Sequence, residues 1–199
     1  MVGGVSLLIP FNWGILQYAA LMLVDWFLGL GGERRGTTWY GKVIWSALIA
    51  LTTGVILTAA DLMCDPVYVS GVWMQVIGTE PWWWWEGGAY LPNLQVWQGA
   101  GGIPIQNFIG WTATTFVIIF IFYLFFQRKD KVTNKLIAVI PLLIYAYLYY
   151  CPALALLVMI WYDPSLVQAL LIGTFAMGSV IMLGVLKFCK DYWTPPGSS

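Results

Sequence analysis

Residues 104–127 read PIQNFIGWTATTFVIIFIFYLFFQ and contain no charged side chain. As a helix, a run of this length crosses the roughly 30 Å of bilayer hydrocarbon, which takes about 20 residues. Comparable runs cover residues 5–30, 42–64, 136–161 and 164–186. Inside hydrocarbon no water can serve the backbone, so each N–H and C=O must find its partner within the protein, and a helix provides all of them from one segment. The 199 residues are 60% apolar and 9% charged, with a mean hydropathy of +0.78, far from the balance of a soluble domain. The expected architecture is an all-α integral membrane protein with about five transmembrane helices. It forms a single transmembrane domain over residues 1–199. A long, Trp-rich and partly re-entrant external loop, residues 65–103, joins helices two and three.

The charges test this count, because successive loops must fall on alternate sides. With five crossings Arg34, Arg35, Lys42, Arg128, Lys129, Lys131, Lys135, Lys187 and Lys190, all nine basic residues, fall on one side. The positive-inside rule makes that side cytoplasmic. The expectation is a protein of the cytoplasmic or intracytoplasmic membrane, with its N-terminus and the 65–103 loop external and its C-terminus cytoplasmic.

Other classes are excluded by what the chain lacks. Zero net charge and nine scattered basic residues give no footprint for nucleic acid, which needs clustered Lys and Arg. There is no histidine, hence no imidazole base and none of the commonest metal ligand. Cys64, Cys151 and Cys189 share no close spacing, fit neither a metal cluster nor a CxxC redox pair, and read as apolar filler. The first apolar run lacks the basic start and small-residue cleavage site of a signal peptide. A transporter is disfavoured because the helix interiors carry almost no charge and five spans hold no inverted repeat.

Along the helices, Asp25 lies about a turn and a half from the expected end of helix one, where it reaches the interface or pairs with another helix. Pro66 is expected to end helix two, and Pro141 and Pro152 to kink helix four. Asp163-Pro164-Ser165 reads as a turn that starts helix five, and KFCKDYWTPPGSS as a polar tail.

Polar variety is concentrated between Asp61 and Trp111. This stretch holds four acidic residues (Asp61, Asp65, Glu80, Glu86), no lysine or arginine, and seven of the thirteen tryptophans. Asp61 and Asp65 are four residues apart, which puts both carboxyls on one helix face. In a low-dielectric site two such charges do not both ionise cheaply, so one is held protonated as an acid; the alternative is that Asp65 before Pro66 only marks a helix stop. Trp82 to Trp85 read as an interfacial belt, or as aromatic walls of a re-entrant loop that hold an elongated apolar ligand. Aromatic faces also stabilise cations, so Trp73 or Trp111 would shelter a carbocation. Asn107, on the first turns of helix three, reads as a cap, an interhelical hydrogen bond or a group that positions water.

The order Asp61, Asp65-Pro66, Gly71-Val-Trp73, a Trp- and Gly-rich loop, then Ile103-Pro104, Asn107-Phe108 and Gly110-Trp111 resembles the carotenoid biosynthesis membrane proteins that include the carotenoid hydratases of bacteria and haloarchaea. The pattern D-x-x-x-D-P, G-x-W, G-[IV]-P-x-x-N-F-x-G-W is specific as a combination and covers about 50 residues, the flanking spans agreeing in order. The resemblance implies addition of water across the terminal trisubstituted double bond of an acyclic carotenoid end, giving a tertiary alcohol. Its implied assignments are Asp61 or Asp65 as acid, the other carboxylate or Asn107 as water positioner, and Trp73 or Trp111 as cation shelter. Trp85, Pro104 and Phe108 complete the substrate-binding set, and no cofactor is implied.

Two departures accompany the resemblance. Family members carry further spans upstream of the segment that here begins near Met1, so this chain reads as a shortened member, and the run Trp82–Trp85 is not part of the pattern. The main rival reading is a non-catalytic carotenoid-binding or structural subunit of a larger membrane complex, such as a photosynthetic one. Expected partners are carotenoid, the lipid bilayer and, on the rival reading, other subunits of that complex.

Overall fold

The computed structural model describes residues 8–28, 38–80, 85, 87–94, 101–126 and 135–193. The basic residues Arg34, Arg35, Arg128, Lys129 and Lys131, and Trp82, Trp83, Trp84 and Glu86 of the expected belt, lie outside them. Six helices follow in order: α1 (Leu8–Leu28), α2 (Trp39–Val69), α3 (Val72–Ile77), α4 (Ile105–Phe125), α5 (Lys135–Met159) and α6 (Leu166–Trp193). Among the described residues there is no strand; Tyr90 and Ile103 form an isolated antiparallel bridge.

Helices α2, α4, α5 and α6 are each long and apolar enough to cross a membrane, and α1 is a shorter apolar helix. Their outward faces confirm the solvent they meet: Phe125 is 69% exposed, Leu171 65% and Phe175 81%, while Thr53 and Thr115 are fully buried. Soluble monomers rarely show so much continuous apolar surface. This is an all-α membrane protein. Aromatic residues stand exposed at helix ends, Trp39 and Tyr40 opening α2 and Trp161 and Tyr162 following α5, as interfacial rings do.

The chain divides into two compact units. The first takes residues 1–57, 112–146 and 181–199. Within it Gln17 donates to Thr115 (3.4 Å), and one interval of eight residues later on both helices Tyr123 donates to Asp25. Contacts that advance together mean that α1 and α4 run parallel. A parallel pair separated in sequence by one long helix requires that helix to return antiparallel to both. That helix is α2, whose Gly54 lies so close to α4 that a Cβ there would come within 2.9 Å of the Thr112 carbonyl oxygen. Small residues permit such backbone approach between membrane helices. Asp25 thus pairs with another helix. Tyr145, fully buried, donates to the Ile56 carbonyl (2.8 Å) and ties α5 to α2.

Residues 187–193 of the expected polar tail are helical instead, and residues 194–199 lie outside the described residues. α6 continues to Trp193, and Asp191 accepts from the Trp26 indole (3.1 Å) while pairing with Lys187 at 3.0 Å, one turn earlier. The i,i+4 ion pair and the indole contact give the last turns a reason to stay helical.

The second unit takes residues 58–111 and 147–180. At the start of α6, Asp163 accepts from the backbone N–H of Ser165 (2.9 Å) and from its hydroxyl (2.6 Å), so the Asp-Pro-Ser turn caps the helix as its sequence suggests. α5 runs on through Pro141 and Pro152.

Candidate functional site

α2 does not stop at Pro66, as expected, but continues through it to Val69. In an α-helix the N–H of residue 66 would serve the carbonyl of Leu62. Proline has no N–H, and a buried carbonyl left alone costs about 1–3 kcal/mol. Here the Tyr90 phenol donates to that carbonyl at 2.7 Å, restoring the missing bond from outside the helix. The 65–103 segment is therefore not wholly a loop. Its first residues are helical, and its later part folds back to supply the donor.

That fold-back is held by backbone hydrogen bonds. Tyr90 and Ile103 exchange two of them (3.0 and 2.8 Å), Gly88 donates to Gly101 (3.2 Å), and Gly102 to Leu94 (3.1 Å). The two segments approach so closely that a Cβ on Gly88 would sit 1.9 Å from the Ile103 carbonyl carbon, and Gly102 has φ +97°, a left-handed conformation that glycine adopts readily. Earlier in the segment, the short α3 starts at Ser70-Gly71, where the Ser70 hydroxyl accepts from Val72 N–H (3.2 Å), and ends on the left-handed Gly78. The Trp73 indole donates to the Val67 carbonyl, fastening α3 to the end of α2.

Against this frame lie the two carboxyls. Asp61 is 7% exposed and Asp65 2%. Asn107, from the first turns of α4, donates through its amide nitrogen to both, at 3.1 Å to Asp61 Oδ2 and 2.5 Å to Asp65 Oδ2. The backbone of Asn107 is fixed by its N–H bond to the Pro104 carbonyl (3.0 Å), so Pro104 serves as the start of the helix that presents the amide. From Trp39 to Asp61 the helix rises about 33 Å, close to the thickness of the hydrocarbon.

Phe108 is buried and meets the Tyr90 ring edge-on, with centroids 5.1 Å apart and planes at 89°. Burial, then the nearby Asp65 and Asp61, push the Tyr90 phenol well above the usual tyrosine range, so it remains a neutral donor. Trp111 is half-buried one turn beyond Asn107 on the same helix face. Trp85 is half-buried, and its indole nitrogen is buried with no hydrogen-bond partner among the described residues. The structure thus brings Asp61, Asp65 and Asn107 together and sets Phe108 beside them through Tyr90. Trp73 is engaged with Val67 instead of with the carboxyls. Among the described residues no group of three acids or cysteines is placed to hold a metal ion.

Tyr90 is the participant that residue-by-residue reading passes over. Its signal in the sequence is indirect: a proline inside an apolar run demands a donor for the carbonyl four residues earlier, but nothing local says which side chain provides it.

The model of the carotenoid biosynthesis protein family matches residues 1–178. This chain belongs to that family. No curated protein and no solved structure gives a significant match. The matched span of this carotenoid biosynthesis protein includes α1 to α5, the carboxyl pair, Asn107 and the Tyr90 fold-back, and ends within α6. Its membrane helices and its family together give it a role in carotenoid biosynthesis.

Proposed function

We propose that this carotenoid biosynthesis protein is a hydratase that adds water to the terminal double bond of an acyclic carotenoid end group. The observation that carries the reading is the amide of Asn107 shared between two buried carboxyls at 3.1 and 2.5 Å. A carboxyl pair around one donor suits a reaction that gives a proton to an apolar substrate and then takes one from water.

On this reading one of Asp61 and Asp65, in its protonated form, gives its proton to the less substituted carbon of the double bond. The π electrons form the new C–H bond and leave a tertiary cation on the neighbouring carbon. A water oxygen attacks that cation, and the proton it sheds goes to a carboxylate of the pair. The sum is alkene plus water to tertiary alcohol, with the acid regenerated and no oxidant or cofactor consumed. Asn107 keeps the two carboxyls at a fixed separation by donating to one oxygen of each, and its own carbonyl oxygen is an acceptor suited to orienting the water. Trp111, one turn beyond Asn107, offers a ring face to the cation. Trp73, Trp85, Pro104 and Phe108 form the apolar surroundings of the end group.

The proposal includes an orientation. With five crossings, Lys42 near the start of α2, Lys135 at the start of α5, and Lys187 and Lys190 near the end of α6 fall on the side opposite the 65–103 segment. Those ends are cytoplasmic by the positive-inside rule, and the carboxyl site opens toward the external face.

Co-expression with an acyclic carotene, followed by pigment extraction, tests the reading. A hydroxylated product is expected from the wild type. Purified protein that carries carotenoid but yields no such product would instead establish the pigment-binding rival.

A further inference from the structure

The chemistry above gives Tyr90 no task, yet several contacts converge on it. Its phenol donates to Leu62, the residue after Asp61, at 2.7 Å. Its ring packs edge-on against Phe108, the residue after Asn107, with centroids at 5.1 Å. Its backbone is paired on both sides with Ile103, just before the first turn of α4. One residue therefore touches the helix turn that carries the carboxyls and the helix start that carries the amide.

The contact with Leu62 has a particular meaning because of Pro66. Proline within a helix removes one backbone bond and opens the turn on that side. The opened turn is the one between Asp61 and Asp65. Without a substitute donor, the two carboxyls would lose the shared face on which the distances to Asn107 depend.

We propose that Tyr90 is a positioning residue: its phenol stands in for the N–H that Pro66 lacks, and so holds Asp61 and Asp65 at hydrogen-bonding distance from Asn107. Only the consequence for turnover rests on the hydratase reading. The positioning itself can be read without turnover.

The test uses four full-length proteins: wild type, Tyr90→Phe, Pro66→Ala and the double variant. Phenylalanine keeps the ring against Phe108 and removes only the hydroxyl. Alanine at position 66 returns an N–H aimed at Leu62, making the phenol redundant. Two readouts are taken on each purified protein, the infrared bands of the aspartate carboxyls, isotope-labelled to separate them from the backbone, and the kcat and KM of carotene hydration.

Tyr90→Phe should shift the carboxyl bands and lower kcat by about 10- to 100-fold, the scale of a small displacement of reacting groups, with KM little changed. In the double variant both should return toward the values of Pro66→Ala. A Tyr90→Phe protein with unchanged bands overturns the proposal, as does a double variant no closer to Pro66→Ala than the single one is. If Tyr90→Phe does not fold, recovery of folding in the double variant supports the proposal and continued failure refutes it. Should the wild type hydrate nothing, the hydratase reading falls, and the infrared comparison still decides the role of Tyr90.

Discussion

The amide nitrogen of Asn107 lies 2.5 Å from a carboxyl oxygen of Asp65, a contact between side chains 42 positions apart in the chain. With Asp65 only 2% exposed, water cannot replace this donor if it is lost. Asn107→Leu should therefore destabilise the protein by about 1–3 kcal/mol, the cost of leaving a buried acceptor without its partner. A thermal midpoint in detergent equal to that of the wild type would show that the amide is not needed to balance the pair.

The carboxyls themselves separate catalysis from binding. Asp61→Asn and Asp65→Asn keep size and shape but cannot deliver a proton, so each should lower hydration by a factor of about 100 to 10,000 while pigment still binds. Extracted pigments and the absorption spectrum of the purified variants measure the two effects. Variants that both stay near the wild-type rate would return Asp61 and Asp65 to a structural role.

Glycine positions give predictions independent of function. A methyl at Gly88 would collide with the Ile103 backbone at 1.9 Å, whereas a Cβ at Gly110 meets nothing within 4 Å. Gly88→Ala should cost about 1–3 kcal/mol, in the range of overpacked sites, and should speed proteolysis between residues 66 and 102. Gly110→Ala, in the middle of a helix, should be neutral or stabilising by roughly 0.5–1 kcal/mol. Equal thermal midpoints for the two variants would contradict the close approach of the fold-back.

Helix contact in the other unit is tested at Gly54. Any larger residue there must push against the Thr112 carbonyl, at 2.9 Å from the first added carbon. Gly54→Val should lower the thermal midpoint, since membrane helices gain their association from such close packing. An unchanged midpoint would mean that α2 and α4 are not in contact at this point.

Orientation is open to chemical labelling. In a background without Cys64, Cys151 and Cys189, a cysteine replacing Glu86 or Asn93 should react with an impermeant thiol reagent on intact cells, and one replacing Lys129 or Lys131 should not. The reverse pattern would invert the proposed topology.

Much of the architecture follows from the sequence by itself. Apolar runs of about 20 residues read as helices, because a helix pairs its backbone groups within one segment where hydrocarbon supplies no water, and the Asp61 to Asp65 interval places two acids on one face through the helical repeat alone. The same periodicity fails at helix ends, where partners distant in the chain decide the outcome. Pro66 reads locally as a stop, yet α2 passes through it because Tyr90 supplies the absent donor. The tail after Leu186 reads as polar, yet α6 continues because Asp191 finds both Lys187 and Trp26. That the Asn107 amide lies within hydrogen-bonding distance of both carboxyls is decided only by the packing of α4 beside α2. Local propensity and periodicity act over a few residues, whereas a buried donor is matched to its acceptor by tertiary packing.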